Sequence, residues 1–329
     1  MEQKNNPGYI EHKTYSDYVI GYKPNSGNRG LYTIQQYKKP GDANRITREY
    51  FDSLLFELRH IDGIIPDTTL NLYGETFSTP IMMAALSGLE KSRKNGSAEM
   101  GAGALAAGSV MWTGVGDEAE LERITTTGAR TVKIIKPYAD NDIVFRKMEH
   151  AEKCGCIAVG MDVDHGFDHE GRYSVMGDIQ LKSKTVDELK QFVHATKLPF
   201  IAKGILSEQD AYKCACAGVQ GIVVSHHHGA FDFAIPPLMV LPKIKKIIGD
   251  KVPIFVDCDV ENGFDVFKAL ALGATAVGMG RVMMVSLLEN GANGVTNTIK
   301  AITEQLAGAM SCTGSLDITH IDPSVIYNR

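Results

Sequence analysis

The stretch Phe200–Pro237, FIAKGILSEQDAYKCACAGVQGIVVSHHHGAFDFAIPP, decides how this chain is read. Its apolar start, Phe200-Ile201-Ala202, ends on Lys203-Gly204. Ser207 is placed to cap a helix over Glu208 to Ala217, and Gly218 to stop it. Gly221 to Val224 is a β-branched run that delivers Ser225, His226, His227 and His228 to the C-terminal end of a strand. Two successive buried strands, each ending in polar residues, predict an α/β barrel with its chemistry on one face. Lys203 and the histidines then stand side by side.

Working outward, strand-like runs stand at Ile81 to Ala84, Ala107 to Trp112, Thr131 to Lys136 and Ile157 to Asp162. Four more follow at Pro199 to Lys203, Gly221 to Ser225, Pro253 to Asp257 and Ala274 to Met279. Helical patterns separate them, and a last one starts at Val282. Near-continuous apolar strands in eight βα units predict a single (β/α)8 TIM barrel. A doubly wound sheet would call for Gly-x-Gly-x-x-Gly after its first strand, where Pro80 to Ser87 reads PIMMAALS. The expected layout is an N-terminal arm over 1–45, bearing Tyr15, Tyr18 and Tyr22, and a barrel domain over 46–329. Arg48 to Arg59 has amphipathic helical spacing, Thr69 to Phe77 suggests a hairpin turning at Gly74, and Val295 to Cys312 suggests an outer helix. The polar, glycine-rich segment 163–184 follows the fourth strand and is expected as a lid over the barrel mouth.

A chain of 329 residues with 44% apolar and 22% charged residues can bury a large core. Its net charge of −5 and lack of a basic run set nucleic acid aside as a partner. The start MEQKNNPGYIEHK has no apolar signal core, and no run approaches the roughly 18–20 apolar residues that span a membrane. A cytoplasmic protein is expected. Cysteines at 154, 156, 214, 216, 258 and 312 have neither zinc-ribbon nor thioredoxin spacing, and read as reduced thiols.

The expected strand ends gather Ala84, Ala85, Lys136, Tyr138, Asp162, Lys203, the Ser225 to His228 run, Asp257, Asp259, Gly280 and Arg281 on one face. Lysines, histidines and acids together suit proton transfer and anion binding. Gly278-Met279-Gly280-Arg281 suits a phosphate, because glycine lets a ligand approach backbone N–H groups and arginine supplies charge.

The segments IAKGI, GIVVS followed by HGA, PIFVDCDVENGFDVFKALALGATAVGMGR and PIMMAALSG resemble the FMN-dependent 2-hydroxy acid oxidases and dehydrogenases. The resemblance covers roughly Asn44 to Ile321. It implies a TIM barrel that holds FMN, takes a small-molecule substrate and assembles as a homo-oligomer, tetrameric or octameric. Carried over residue by residue, Lys203 is the cation beside the flavin, Ser225 ends the sixth strand, and Asp257 begins the phosphate loop. Gly280 and Arg281 bind the phosphate, Ala84 and Ala85 run along the flavin, and Asp162 orients the catalytic histidine. That histidine, the general base, is His227 when counted from the strand and His228 when anchored on His-Gly-Ala.

Three features depart from the family pattern. Phe231, or Ala230 in the ungapped register, stands in place of the carboxylate-clamping arginine. Asp259 and Glu261 occupy positions of glycine and arginine in the phosphate loop, and the usual substrate tyrosine has no counterpart near Ser26-Gly27. The reading is therefore an FMN-dependent oxidoreductase acting on CH–OH donors, with Lys136, Tyr138 and Phe231 facing the substrate. The alternatives are flavin chemistry on a substrate without an essential carboxylate, an isopentenyl diphosphate isomerase-like barrel, a metal-binding barrel using the histidine cluster, and a non-catalytic flavin-binding protein. The expected site includes no metal.

Overall fold

The computed structural model describes residues 40–329. The tyrosines expected on an N-terminal arm lie outside the described residues. The first helix, α1 (Ala43–Ser53), begins before Arg48 and stops before Arg59. Asp42 starts it by accepting hydrogen bonds from the amides of Asn44 and Arg45. Leu54 then leaves the helix for β1 (Leu54–Phe56), which pairs antiparallel with β14 (Ile326–Asn328). The helical spacing of 48–59 hid this strand because its partner lies at the other end of the chain.

The expected hairpin is present as β2 (Leu70–Leu72) and β3 (Glu75–Phe77). Its turn places Tyr73 at φ 51° and Gly74 at φ 81°, the paired left-handed geometry that matches strand twist. The Tyr73 hydroxyl donates to Gln220 O at 2.9 Å, just before the sixth barrel strand, so the hairpin sits at the end of the barrel away from the site.

The barrel begins with β4 (Ile81–Met83), followed by α2 (Leu89–Ser92), α3 (Gly96–Ala106), β5 (Met111–Thr113) and α4 (Glu118–Thr126). It continues with β6 (Thr131–Ile135), α5 (Asn141–Lys153), β7 (Ala158–Asp162), the short hairpin β8 (Val175–Met176) and β9 (Ile179–Gln180), and α6 (Val186–His194). The second half runs β10 (Phe200–Ile205), α7 (Glu208–Ala217), β11 (Gly221–Val224), α8 (Pro237–Ile248), β12 (Ile254–Val256), α9 (Gly263–Ala271), β13 (Ala276–Met279) and α10 (Arg281–Cys312). All eight strands foreseen from the sequence are there, in the order β4-β13-β12-β11-β10-β7-β6-β5. The remaining seam is bridged at Leu86 and Thr113 and by Met83 N–H to Val110 O at 3.0 Å. The result is a nearly closed parallel TIM barrel.

The strands are buried almost throughout, which explains their near-continuous apolar character. Trp112 and Phe255 meet edge to face at 5.1 Å in this core. Ser207 caps α7 through the Asp210 amide, and Gly218 ends it at φ 78°, as the sequence predicted. The two expected C-terminal helices are present within α10, separated by a non-helical break at Asn290 and Gly291. It packs outside the barrel on α3, where Thr296 Oγ1 donates to Gly103 O at 3.1 Å. Among the described residues no helix is long and apolar enough to cross a membrane.

Candidate active site

Parallel register builds the centre of the site. Lys203 on β10 lies directly opposite Asp162 on β7, so their side chains leave neighbouring strands toward the same interior space. Lys203 Nζ is 3.2 Å from Asp162 Oδ1 and 3.6 Å from Asp257 Oδ2. Lys136, one residue past β6, reaches the other oxygen of Asp162 at 2.8 Å. All four groups are buried. Burial opposes the Asp162 charge, but Lys203, Lys136 and His227 hold its carboxyl below the usual range. Burial likewise opposes the Lys203 charge, and Asp162, Asp257 and Asp164 together raise its ammonium well above the ordinary lysine value.

The histidines following β11 are separated by a tight turn. His227, His228 and Gly229 take φ values of 51°, 54° and 70°. Ser225 Oγ accepts from His227 N–H at 3.0 Å, and Ala230 N–H donates to His226 O at 3.1 Å. An extended chain would alternate its side chains; this turn sends the three imidazoles different ways. His226 Nδ1 accepts from Gly229 N–H at 2.8 Å, and its Nε2 meets Thr47 Oγ1 at 2.8 Å. Burial pushes His226 down to about 4, so the neutral ring braces the loop against α1. His228, pushed down to about 3 by burial, accepts from Asn44 Nδ2 through its carbonyl at 3.3 Å.

His227 joins the charged centre. Its Nδ1 is 3.1 Å from Asp164 Oδ2, 3.2 Å from Lys203 Nζ and 3.6 Å from Asp162 Oδ1. The ring of His165 lies over it at 4.0 Å between centroids. Burial opposes the Asp164 charge, yet His227, His165 and Lys203 hold this carboxyl well below the carboxylate range. Gly204, at φ 94°, makes room for Asp164, because any Cβ there would collide with that carboxylate.

The opposite end of the face is built by the loop 257–262 and the start of α10. Asp257 Oδ1 accepts from the Cys258 thiol at 3.1 Å, and burial pushes that thiol up to about 12, so it stays protonated. Cys258 and Asp259 adopt φ 75° and 55°. Asp259 forms an ion pair with Arg281, the first residue of α10. Arg48 on α1 holds this loop by donating to Asp259 O at 3.0 Å and, with both terminal nitrogens, to the Asp265 carboxylate at 2.8 Å. Between the two ends, Ala84 and Ala85 follow β4, with Ala84 beside Gly278 and Gly280 and Ala85 beside Gly114. The space beside Gly280 is bounded by Leu86 and Ala84.

The segment 163–184 begins as a single 3-10 turn carrying Asp164 and His165 and continues into the β8–β9 hairpin. Tyr138 is buried under this segment: its hydroxyl faces Met176 Sδ at 4.0 Å, and its backbone bridges to Leu181. Phe231 is 67% exposed and stacks on His169 of the same segment at 6.2 Å between centroids. The structure therefore brings Lys136, Asp162, Lys203, His227 and Asp257 together. It places His228, Tyr138 and Phe231 around that group rather than within it.

Sequence reasoning missed Asp164 and His165 as partners of His227, and missed the brace formed by α1. Asn44, Thr47 and Arg48 follow i, i+3, i+4 spacing and so share one helix face, but nothing local says that this face meets two loops far along the chain. Lys133 was also passed over inside a strand. It is buried, donates to Gly114 O at 2.6 Å, and is pushed down to about 8 by that burial.

Asp162, His165 and His227 have ligand atoms within 4.8 Å of one another, the spacing of a metal site among the described residues. Both oxygens of Asp162 already face ammonium groups, at 2.8 Å and 3.2 Å, so a cation there would have to displace two lysines. His226 offers no free ring nitrogen either, since both its nitrogens are engaged within the fold.

A family model for FMN-dependent dehydrogenases matches residues 32–178 and 166–328. Glycolate oxidase 1 of Zea mays is 27% identical over 334 residues, covering 90% of this chain and 88% of that protein. The 2-hydroxyacid oxidase of Dictyostelium discoideum is 37% identical over 148 residues, covering 45% of this chain and 38% of that protein. Among solved structures, a mandelate oxidase variant with a monooxide FMN adduct superposes with a TM-score of 0.80 at 24% identity, covering 90% of this chain and 95% of that one.

Proposed function

This chain belongs to the FMN-dependent dehydrogenase family, and from that premise we propose that it oxidises a hydroxylated carbon with His227 as the proton acceptor. The supporting observation is the setting of His227 Nδ1, 3.1 Å from Asp164 Oδ2. An Nδ1–H donated to that carboxylate leaves the lone pair on Nε2, the atom that takes the substrate hydroxyl proton. Asp164, with Asp162 at 3.6 Å, then stabilises the imidazolium that forms. His228 sits on the turn itself, its N–H donating to Cys258 Sγ at 3.4 Å and its carbonyl accepting from Asn44.

The face fits the cofactor that its family uses. Lys203 would hold the pyrimidine side of the ring with Ser225 and Asp257 nearby, Ala84 and Ala85 would flank it, and Gly280 with Arg281 would receive the phosphate. Bound FMN supplies the acceptor for the hydride equivalent. Lys203 is suited to the negative charge that follows, because three carboxylates keep it protonated at any working pH. Lys136 does not bind substrate directly in this reading: its ammonium is committed to Asp162 at 2.8 Å and positions that carboxylate.

Substrate choice follows from Phe231. An aromatic ring in place of a guanidinium removes the bidentate clamp that orients a carboxylate. Phe231 and His169 give the entrance an apolar rim instead. We therefore infer a 2-hydroxy compound whose neighbouring carbonyl group need not be charged. Anaerobic mixing of the flavin-loaded protein with lactate, glycolate and mandelate, and with their amides and methyl esters, tests this. Flavin bleaching by the neutral compounds at rates equal to or above the acids is expected; bleaching by the acids alone would overturn it.

A further inference from the structure

The phosphate end of the site already holds an anion, and that anion belongs to the chain. Arg281 opens α10, and no side chain caps the helix there. The guanidinium is paired with Asp259, whose side chain is only 3% exposed. The second oxygen, Oδ2, is buried without a hydrogen-bond partner. A buried carboxylate with a single ion-pair partner and no cation or hydrogen bond at its second oxygen is poorly accommodated as a permanent structural group. The backbone tells the same story: Cys258 and Asp259 both occupy the left-handed region at φ 75° and 55°, which favours glycine. The conformation is imposed by Arg48, which binds Asp259 O at 3.0 Å and Asp265 at 2.8 Å.

We propose that Asp259 occupies the place of the flavin phosphate on Arg281 and competes with it, setting how strongly this chain prefers FMN over a flavin without a phosphate. The proposal rests on the reading of the barrel as a flavin enzyme. A phosphate dianion arriving at Arg281 meets a carboxylate on the same guanidinium, and like charges at ion-pair distance in a partly buried site repel strongly. Binding therefore requires the Asp259 side chain to turn away from Arg281. The isoalloxazine contacts at Lys203, Ala84 and Ala85 are unaffected by that exchange. Phosphate thus contributes far less to affinity than an arginine at a helix start would otherwise give.

Flavin-fluorescence quenching on the flavin-stripped full chain tests this with FMN and riboflavin side by side. Wild type is expected to prefer FMN by less than tenfold. Asp259→Asn keeps the shape and tolerates the left-handed backbone, and Asp259→Gly removes the side chain altogether. Both are expected to tighten FMN at least tenfold while leaving riboflavin within twofold, and to make FMN binding sensitive to competing inorganic phosphate. Equal shifts for both flavins, no shift for FMN, or looser FMN binding in both variants would overturn the role of Asp259. If neither flavin binds wild type or variants although all melt cooperatively, the flavin reading itself fails, and this inference with it.

Discussion

Two buried aspartates at the barrel mouth are treated in opposite ways. Asp162 has an ammonium group within ion-pair distance of each oxygen, Lys136 at 2.8 Å and Lys203 at 3.2 Å, although its Oδ1 makes no hydrogen bond. Asp259 meets Arg281 with one oxygen and nothing with the other. The first arrangement is produced by strands: β6, β7 and β10 are neighbours, and their register delivers the three side chains without backbone strain. The second is produced by a loop held in left-handed conformations by a helix from elsewhere in the chain. A charge held between two lysines by its sheet is a fixed part of the machine, whereas a charge with a single cation on a clamped loop is poised to exchange partners.

The largest test of that contrast is Asp162→Asn. It leaves Lys136 and Lys203 buried and facing each other with no intervening charge, and removing one partner of a buried ionic group costs about 3–5 kcal/mol. Chemical denaturation is expected to show a loss of that size. A loss under about 1 kcal/mol would mean the cluster behaves like a surface pair.

His227→Asn probes the same end while leaving both Asp162–lysine ion pairs in place. The general base contributes about 10²–10⁴-fold to turnover, so flavin reduction is expected to slow by that range while flavin affinity stays close to wild type. His228→Asn, outside the charged group, should slow reduction by less than tenfold. A reversal of the two results would give the base to His228 and break the division between centre and surround.

The pH dependence of stability separates the histidine brace from the carboxylates. His226 is held near 4 against an ordinary value of 6.5. Between those values the unfolded chain binds the proton and the folded chain does not, so stability falls as pH drops from 6.5 toward 4. At pH 5 the effect of His226 is roughly 2 kcal/mol, with His228 acting in the same direction. Asp162 and Asp164 have lowered values, so their contribution is intact above the ordinary carboxyl range and is lost only as pH falls through their folded values. Thermal melts at pH 7 and pH 5 should therefore differ in wild type and differ by about half as much in His226→Asn, His228 supplying the rest. Equal acid sensitivity in both would remove His226 as the source.

What the sequence revealed and what it concealed follow the same line. All the barrel strands, the Ser207 cap and the hairpin turn at Gly74 were legible because apolar runs, a hydroxyl before a helix and a glycine are local signals. Lys203 and Asp162 were legible as strand-end residues, since strand ends in a barrel converge. Asp164 was not, because the residue after next could point anywhere until the 3-10 turn fixed it. The histidine register stayed open between His227 and His228 because the chain turns there through consecutive positive φ values, which no periodicity predicts. The α1 brace was invisible for a different reason. Asn44, Thr47 and Arg48 act on residues around 180 to 220 positions away, and its helix was placed late because Asp42 was not read as the cap.

Asp259→Gly carries the smallest expected effect and tests the contrast most directly. Glycine relieves a left-handed φ of 55°, which by itself favours the folded state by about 1 kcal/mol. The lost pair with Arg281 acts in the opposite direction, but it is a pair with one orphaned oxygen and an arginine side chain still 18% exposed. These two contributions nearly cancel, so the unfolding free energy of the flavin-free chain should stay within about 1 kcal/mol of wild type. With FMN present, the variant should become the more stable of the two, because ligand binding adds stability in proportion to the logarithm of its affinity. Riboflavin should produce no such crossover. A large loss in the flavin-free variant would show that Asp259 is as structural as Asp162, and the two ends of the barrel mouth would then obey one rule instead of two.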